Sequence, residues 1–294
     1  MTAQGTISAM GYVALRTRDL RASTALATDI LGLRSIENTG TKAYLAAADA
    51  HHEIVYVKSD TDGVDHIGLM AANVDEVRAI REKVLRGGWS IIAELPIEEH
   101  IEHGFAFVGP EGFTWHVYTG MTIADVRGGG FGPDRYGHIN LKVHDSIAMV
   151  KFLIEVFGFM VSDRIGEDFA FFLRCNPEHH GIAVVKSTDT SPTMHHHAWQ
   201  AGSVVDLGRV ADRLARAGSR LFWGPVRHGA GHNIAAYFIE PRVGLIEVYT
   251  DMEMIYDPER DAVVWDLEDP GWLSQWDGLS PEGMLGYGVP PVRR

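Results

Sequence analysis

The chain has 294 residues, enough for about two domains, and its 26 basic against 39 acidic side chains give a formal charge of −13. That balance excludes the basic face on which nucleic-acid wrapping or docking to an anionic membrane depends. No apolar run reaches the ~18 residues of a membrane span, and the lone Cys175, read as a small buried hydrophobe, excludes an internal disulfide framework. The N-terminus carries no basic stretch followed by an apolar one, so a cytoplasmic location is expected.

In chain order, four apolar-alternating strands are predicted at 10–16, 64–71, 137–143 and 194–201. Each precedes a stretch with apolar residues three and four apart, at 20–31, 74–86, 146–157 and 205–217. Asp19, Asn73, Asp145 and Ser203 stand where N-caps belong. Glycine-punctuated β-like runs follow, as at 91–95, 105–108 and 114–118. The resulting pattern is βαβββ, four times over.

An internal repeat organises these elements. Residues 50–59 reappear at 178–187, setting His51-His52 against His179-His180; residues 115–121 match 246–252, and 11–15 match 137–141. Three matches in one order at nearly constant offset define two halves, 6–121 and 133–252, joined by the glycine-rich stretch 127–133. The predicted fold is α+β: four modules paired into two half-barrel domains with helices outside. Residues 253–294, with Trp265, Trp272 and Trp276, are predicted to form a covering tail.

Because strand side chains alternate faces, the cup-facing positions can be read from the repeat. They are Tyr12, His66 and His116 in the first half and His138, His196 and Glu247 in the second. His195 and His197 then fall on the helix side. Two imidazoles and one carboxylate on three strands present one face of an octahedral ion and leave positions open, which suits non-haem Fe(II) and O2. The first half keeps the scaffold and is expected to lack a functional metal site. His51, His52, His100 and His103 are read as loop or edge histidines.

At these residues the sequence resembles the type I extradiol ring-cleavage dioxygenases of the vicinal oxygen chelate superfamily. The segment from Arg227 to Pro241 carries the resemblance furthest, with His228, Tyr237 nine residues on and Glu247 ten residues beyond that. Cys175-Asn176-Pro177-Glu178-His179-His180 is similar to the segment bearing that family's active-site histidine, and Met194-His195-His196 to its His-His pair. Two departures, Ala236 before the tyrosine and Gly244 displaced in the turn after Pro241, affect the pocket shape. The resemblance implies Fe(II), with Mn(II) as the alternative, held by His138, His196 and Glu247. It implies a catechol-type diol and O2 as substrates, cleaved beside the two hydroxyls to a 2-hydroxymuconic semialdehyde-type product. His228 and Tyr237 are the implied contacts to the substrate oxygen, and His180 the implied acid–base group opposite. Asn140 and His232 are candidate pocket residues, and a homo-oligomer is expected. Only Arg227 lies near the His228 loop, which favours a neutral catechol. Two other functions of the fold stay open: a glyoxalase-like isomerase or lyase, and a drug-binding protein without catalysis. The His228/Tyr237 pair discriminates against the first, and the duplicated chain with its His-His-Glu set against the second.

Overall fold

The computed structural model describes residues 4–124, 132–189, 191–276 and 279–293; most of the 127–133 linker expectation lies outside them. Each module opens with a long strand: β1 (Ile7–Thr17), β5 (Gly63–Ala71), β9 (Arg135–Val143) and β13 (Thr193–Gln200). Helices α1 (Leu20–Leu26), α2 (Val74–Arg86), α3 (Ser146–Phe157) and α4 (Val204–Arg216) follow them. Asp19, Asn73 and Asp145 accept from the amides of Ala22, Glu76 and Ala148 at 3.0, 3.0 and 2.8 Å, satisfying donors that the first turn leaves open. Ser203 instead donates to Asp206 Oδ2 at 2.8 Å. The first helix is shorter than its apolar spacing predicts. It passes at Ala27–Leu31 into a wider π turn that ends at Gly32, with φ of 90°.

Three further strands complete each module. These are β2 (Arg34–Asn38), β3 (Lys42–Ala46) and β4 (Ile54–Lys58), then β6 (Ser90–Ala93), β7 (Ile101–Val108) and β8 (Thr114–Met121). The second half supplies β10 (Met160–Ile165), β11 (Ala170–Arg174) and β12 (Ile182–Lys186), then β14 (Trp223–Arg227), β15 (Ile234–Glu240) and β16 (Gly244–Thr250). The first sheet runs β2-β3-β4-β1-β5-β8-β7-β6. The second runs β14-β15-β16-β13-β9-β12-β11-β10 and gains β17 (Val263–Trp265) from the tail. In both sheets the two opening strands pair antiparallel, and each pairs in parallel with the last strand of its own module. This is the α+β arrangement of four βαβββ modules expected from the repeat.

The apolar faces of the opening strands, such as Ile139 and Leu141, pack under the helices in one core that includes Phe107, Trp115, Phe152 and Phe157. Contacts across the halves include Glu53 Oε1 accepting from the Tyr136 amide at 2.9 Å. The tail returns to the first half, where Val64 and Val292 exchange backbone bonds with the Pro290–Val292 and β5 segments at 2.9 Å.

Candidate active site

Seven strands of the second sheet, β9 and β11 to β16, contribute residues to one cavity of about 190 Å³, so the sheet curls around it. Adjacent strands place the predicted residues side by side. Tyr237 on β15 sits opposite Glu247 on β16, Ala198 on β13 pairs with both Glu247 and His138 on β9, and His180 lies just ahead of β12. His138 Nε2 and His196 Nε2 lie 3.2 and 3.1 Å from the same carboxylate oxygen of Glu247, and all three side chains are buried. Asn233, which sequence reasoning passed over, donates from Nδ2 to the other Glu247 oxygen at 3.1 Å.

Close approach shapes the strand that carries His138. A Cβ at Gly137 would lie 2.1 Å from the Tyr249 hydroxyl, so glycine is what lets β9 and Tyr249 meet. The first half repeats the arrangement: a Cβ at Gly11 would lie 2.3 Å from the hydroxyl of Tyr118. Its cup, however, is filled by a phenol. Tyr12 Oη lies 2.9 Å from His66 Nε2 and 2.6 Å from His116 Nδ1, donating to one and accepting from the other.

The strand alternation fails at one predicted position. Between Met194 and His196 the β13–β9 pairing carries a bulge, which turns His195 away from the helix side and onto the cavity wall. There its Nε2 lies 2.8 Å from the Met284 carbonyl and its Nδ1 2.7 Å from His196 Nδ1. A carbonyl only accepts, so His195 carries its proton on Nε2, and His196 must supply the proton between the Nδ1 atoms. His196 Nε2 is then a bare lone pair facing a carboxylate oxygen. Two acceptors at 3.1 Å repel unless a cation lies between them, so the residues fit a divalent metal. His197 keeps its predicted side and accepts from Trp199 Nε1 at 2.9 Å.

The same reasoning fixes the ring of His228. His228 Nδ1 lies 2.5 Å from the Leu273 carbonyl and therefore donates, leaving Nε2 to accept from the Tyr237 hydroxyl at 2.8 Å. His180 Nδ1 lies 3.0 Å from His179 Nδ1, and His179 Nε2 lies 3.0 Å from Asp163 Oδ1. The His179–Asp163 approach lacks hydrogen-bond geometry, and between His179 and His180 one Nδ1 atom donates to the other. Neither His179 nor Asp163 is visible as a site residue in sequence. The only signal was the His179-His180 doublet in the repeat.

Burial sets the charge states. It lowers the pKa of His180 well below the usual value, with His138 adding to the effect, and it lowers those of His196 and His228. Burial, then the Glu247 charge, raise the Tyr237 phenol well above its ordinary value. Burial is the largest influence on Glu247 and acts to raise it, but the adjoining His138 and His196 together outweigh it and the carboxyl stays well below its usual range. Neutral imidazoles at His180, His196 and His228, a neutral phenol at Tyr237 and a carboxylate at Glu247 are the protonation states that result. Phe172, Trp223, Trp272, Leu273 and Met284 wall the cavity, and Asn140 lines it. His232 does not: it is exposed in a turn with φ of 55°.

A profile of the Glyoxalase/Bleomycin resistance protein/Dioxygenase superfamily matches residues 9–117 and 135–259. The chain is 24% identical over 312 residues to a manganese-dependent 2,3-dihydroxybiphenyl 1,2-dioxygenase of Geobacillus genomosp. 3, covering 98% of this chain and 95% of the relative. It is 24% identical to a metapyrocatechase of Geobacillus stearothermophilus, covering 97% and 94%. Among solved structures, the Mn(II)-bound glyoxalase from Novosphingobium aromaticivorans superposes with a TM-score of 0.88 at 29% identity, covering 98% and 95%. The homoprotocatechuate 2,3-dioxygenase of Arthrobacter globiformis shares the fold at a TM-score of 0.88 and 21% identity, covering 97% and 92%. Two matched segments that together span most of the sequence place this chain in the Glyoxalase/Bleomycin resistance protein/Dioxygenase superfamily.

Proposed function

We propose that this protein is an extradiol dioxygenase that opens the ring of a catechol-type diol with O2, using Fe(II) or Mn(II) held by His138, His196 and Glu247. The observation that carries this reading is the flanking of that buried triad by two different proton-handling groups in one cavity: the His228–Tyr237 pair and His180. A metal held by His138, His196 and Glu247 would supply a Lewis-acid centre that brings diol and O2 together, the electrons that reduce O2 coming from the diol itself. The chain's own residues manage protons and water. His228 Nε2, already accepting from Tyr237, takes the proton released as the diol binds, relayed through the phenol. The Leu273 carbonyl holds His228 in the one tautomer that can do this. His180, kept neutral by burial, faces the cavity beside His138, their ring centroids 4.4 Å apart. It is placed to receive a proton and return it as the oxygen–oxygen bond breaks, with both oxygen atoms ending in a 2-hydroxymuconic semialdehyde-type product. The aromatic and aliphatic walls exclude water that would otherwise compete for these bonds. Residues 133–252 thus form the catalytic unit, with 6–121 as a scaffold without catalytic metal and 253–294 as its cover. The family resemblance also brings a homo-oligomer, which light scattering tests.

The glyoxalase name of the 29% identical structure favours a second reading, metal-dependent isomerisation. Anaerobic reconstitution with Fe(II) or Mn(II), then exposure to a catechol panel under air, separates the two. A yellow ring-fission product is expected. Catechols that bind the metal-loaded protein uncleaved, together with isomerisation of a hemithioacetal, would overturn the dioxygenase.

A further inference from the structure

One other set of ligand-bearing side chains converges among the described residues, and it lies in the first half. Glu37 comes from β2, His51 from the turn between β3 and β4, and His100 from the last position before β7. Far apart in sequence, the two rings stack with centroids 3.7 Å apart at 18°. Both Nε2 atoms turn to the same oxygen, Glu37 Oε2, at 2.9 Å from His100 and 3.6 Å from His51. One ligand atom from each residue lies within 4.8 Å of the others. Thr122 clamps both histidine backbones: its carbonyl accepts from the His51 amide at 2.9 Å, and its amide donates to the His100 carbonyl at 2.8 Å. His100 adopts φ of 65°, a left-handed conformation uncommon outside glycine, and this aims its ring at His51. Tyr44 backs the pair, 5.4 and 6.3 Å from the two rings.

We propose that Glu37, His51 and His100 form a second site, for a borderline divalent cation of the zinc type. Two imidazole nitrogens and one carboxylate oxygen suit such an ion, and half-exposed His100 leaves its outer face to water. Tetrahedral bonds of about 2.0–2.1 Å place ligand atoms about 3.3 Å apart, so small side-chain rotations close the set. An ion there would tie β2 to two connections on the edge where the chain leaves the first half. There Thr122 and Ala124 bond back to His100 and Asp49.

The test is zinc binding by the full chain in equilibrium dialysis, comparing wild type with Glu37→Gln, His100→Ala, Glu247→Gln and the Glu247→Gln/His100→Ala double variant. Wild type should hold one more zinc per chain than His100→Ala, and Glu247→Gln should retain zinc that the double variant loses. Affinity at this site should fall about a hundredfold or more on loss of a ligand. Zinc should raise the melting temperature of Glu247→Gln and leave that of the double variant unchanged. Glu37→Gln, which preserves side-chain shape, should behave like His100→Ala. Equal zinc stoichiometry in wild type, Glu37→Gln and His100→Ala, with circular dichroism unchanged, would overturn the second site and leave the catalytic reading intact. Loss of metal confined to Glu247→Gln would do the same.

Discussion

At the scale of single residues, the second cup differs from the first by few substitutions, and the exchange of Tyr12 for His138 has a steric reading. A Cβ at Gly68 would lie 2.2 Å from the Tyr12 ring, so glycine is what admits a phenol to the first cup. The corresponding position in the second half is Ala198, paired with the smaller His138 ring. Gly68→Ala is therefore expected to destabilise the protein by about 1–3 kcal/mol through overpacking, measured by denaturant unfolding. Metal content of the second half should be unchanged. His180→Ala should retain metal and bind catechol while losing turnover by about 10²–10⁴-fold in single-turnover kinetics; a parental rate would remove His180 from proton transfer. His195→Phe takes away the acceptor that holds His196 in its ligand tautomer. Metal affinity should drop about 10–100-fold, read by competition with a chelator.

At the scale of elements, the tail does more than cover. Carbonyls of Leu273 and Met284 set the tautomers of His228 and His195, and the Leu285 carbonyl accepts from Lys142 Nζ in the same cavity. Removing residues 270–294 is expected to lower catechol turnover and metal affinity together. The helices of both halves should remain, because among the described residues of that segment only Val289 joins the core they pack on; far-UV circular dichroism of the truncated chain checks this. The strands, the helices and three of four caps were legible from apolar spacing and side-chain type, since those signals are local. The bulge at His195 was not, because a one-residue slip in pairing is set by the partner strand β9 and leaves no trace in alternation. The tail contacts were hidden for a related reason: backbone carbonyls have no sequence identity.

At the scale of the molecule, several imidazoles are buried neutral. Burial pushes the pKa of His52 and His116 in the first half well below the ordinary histidine range, while in the unfolded chain they titrate at about 6.5. Their folded pKa values are depressed, so the unfolded state binds more protons below 6.5. Stability should be level above that pH and fall as the pH drops beneath it, by up to about 1.4 kcal/mol per pH unit for each group. Chemical denaturation between pH 7 and 5 measures the slope, and a stability that stays level would contradict it. The sequence by itself determined the βαβββ repeat, and through it proposed His138, His196 and Glu247 as equivalent cup-facing positions. A duplicated chain prints its periodicity and equivalent positions directly in residue order. Tertiary structure alone decided which nitrogens of His195, His196 and His228 are bare, that Asn233 bonds Glu247 and His179 meets His180, and that His51 meets His100. Those depend on contacts between segments distant in the chain, where hydrogen-bond direction and burial are fixed only once the sheets have closed.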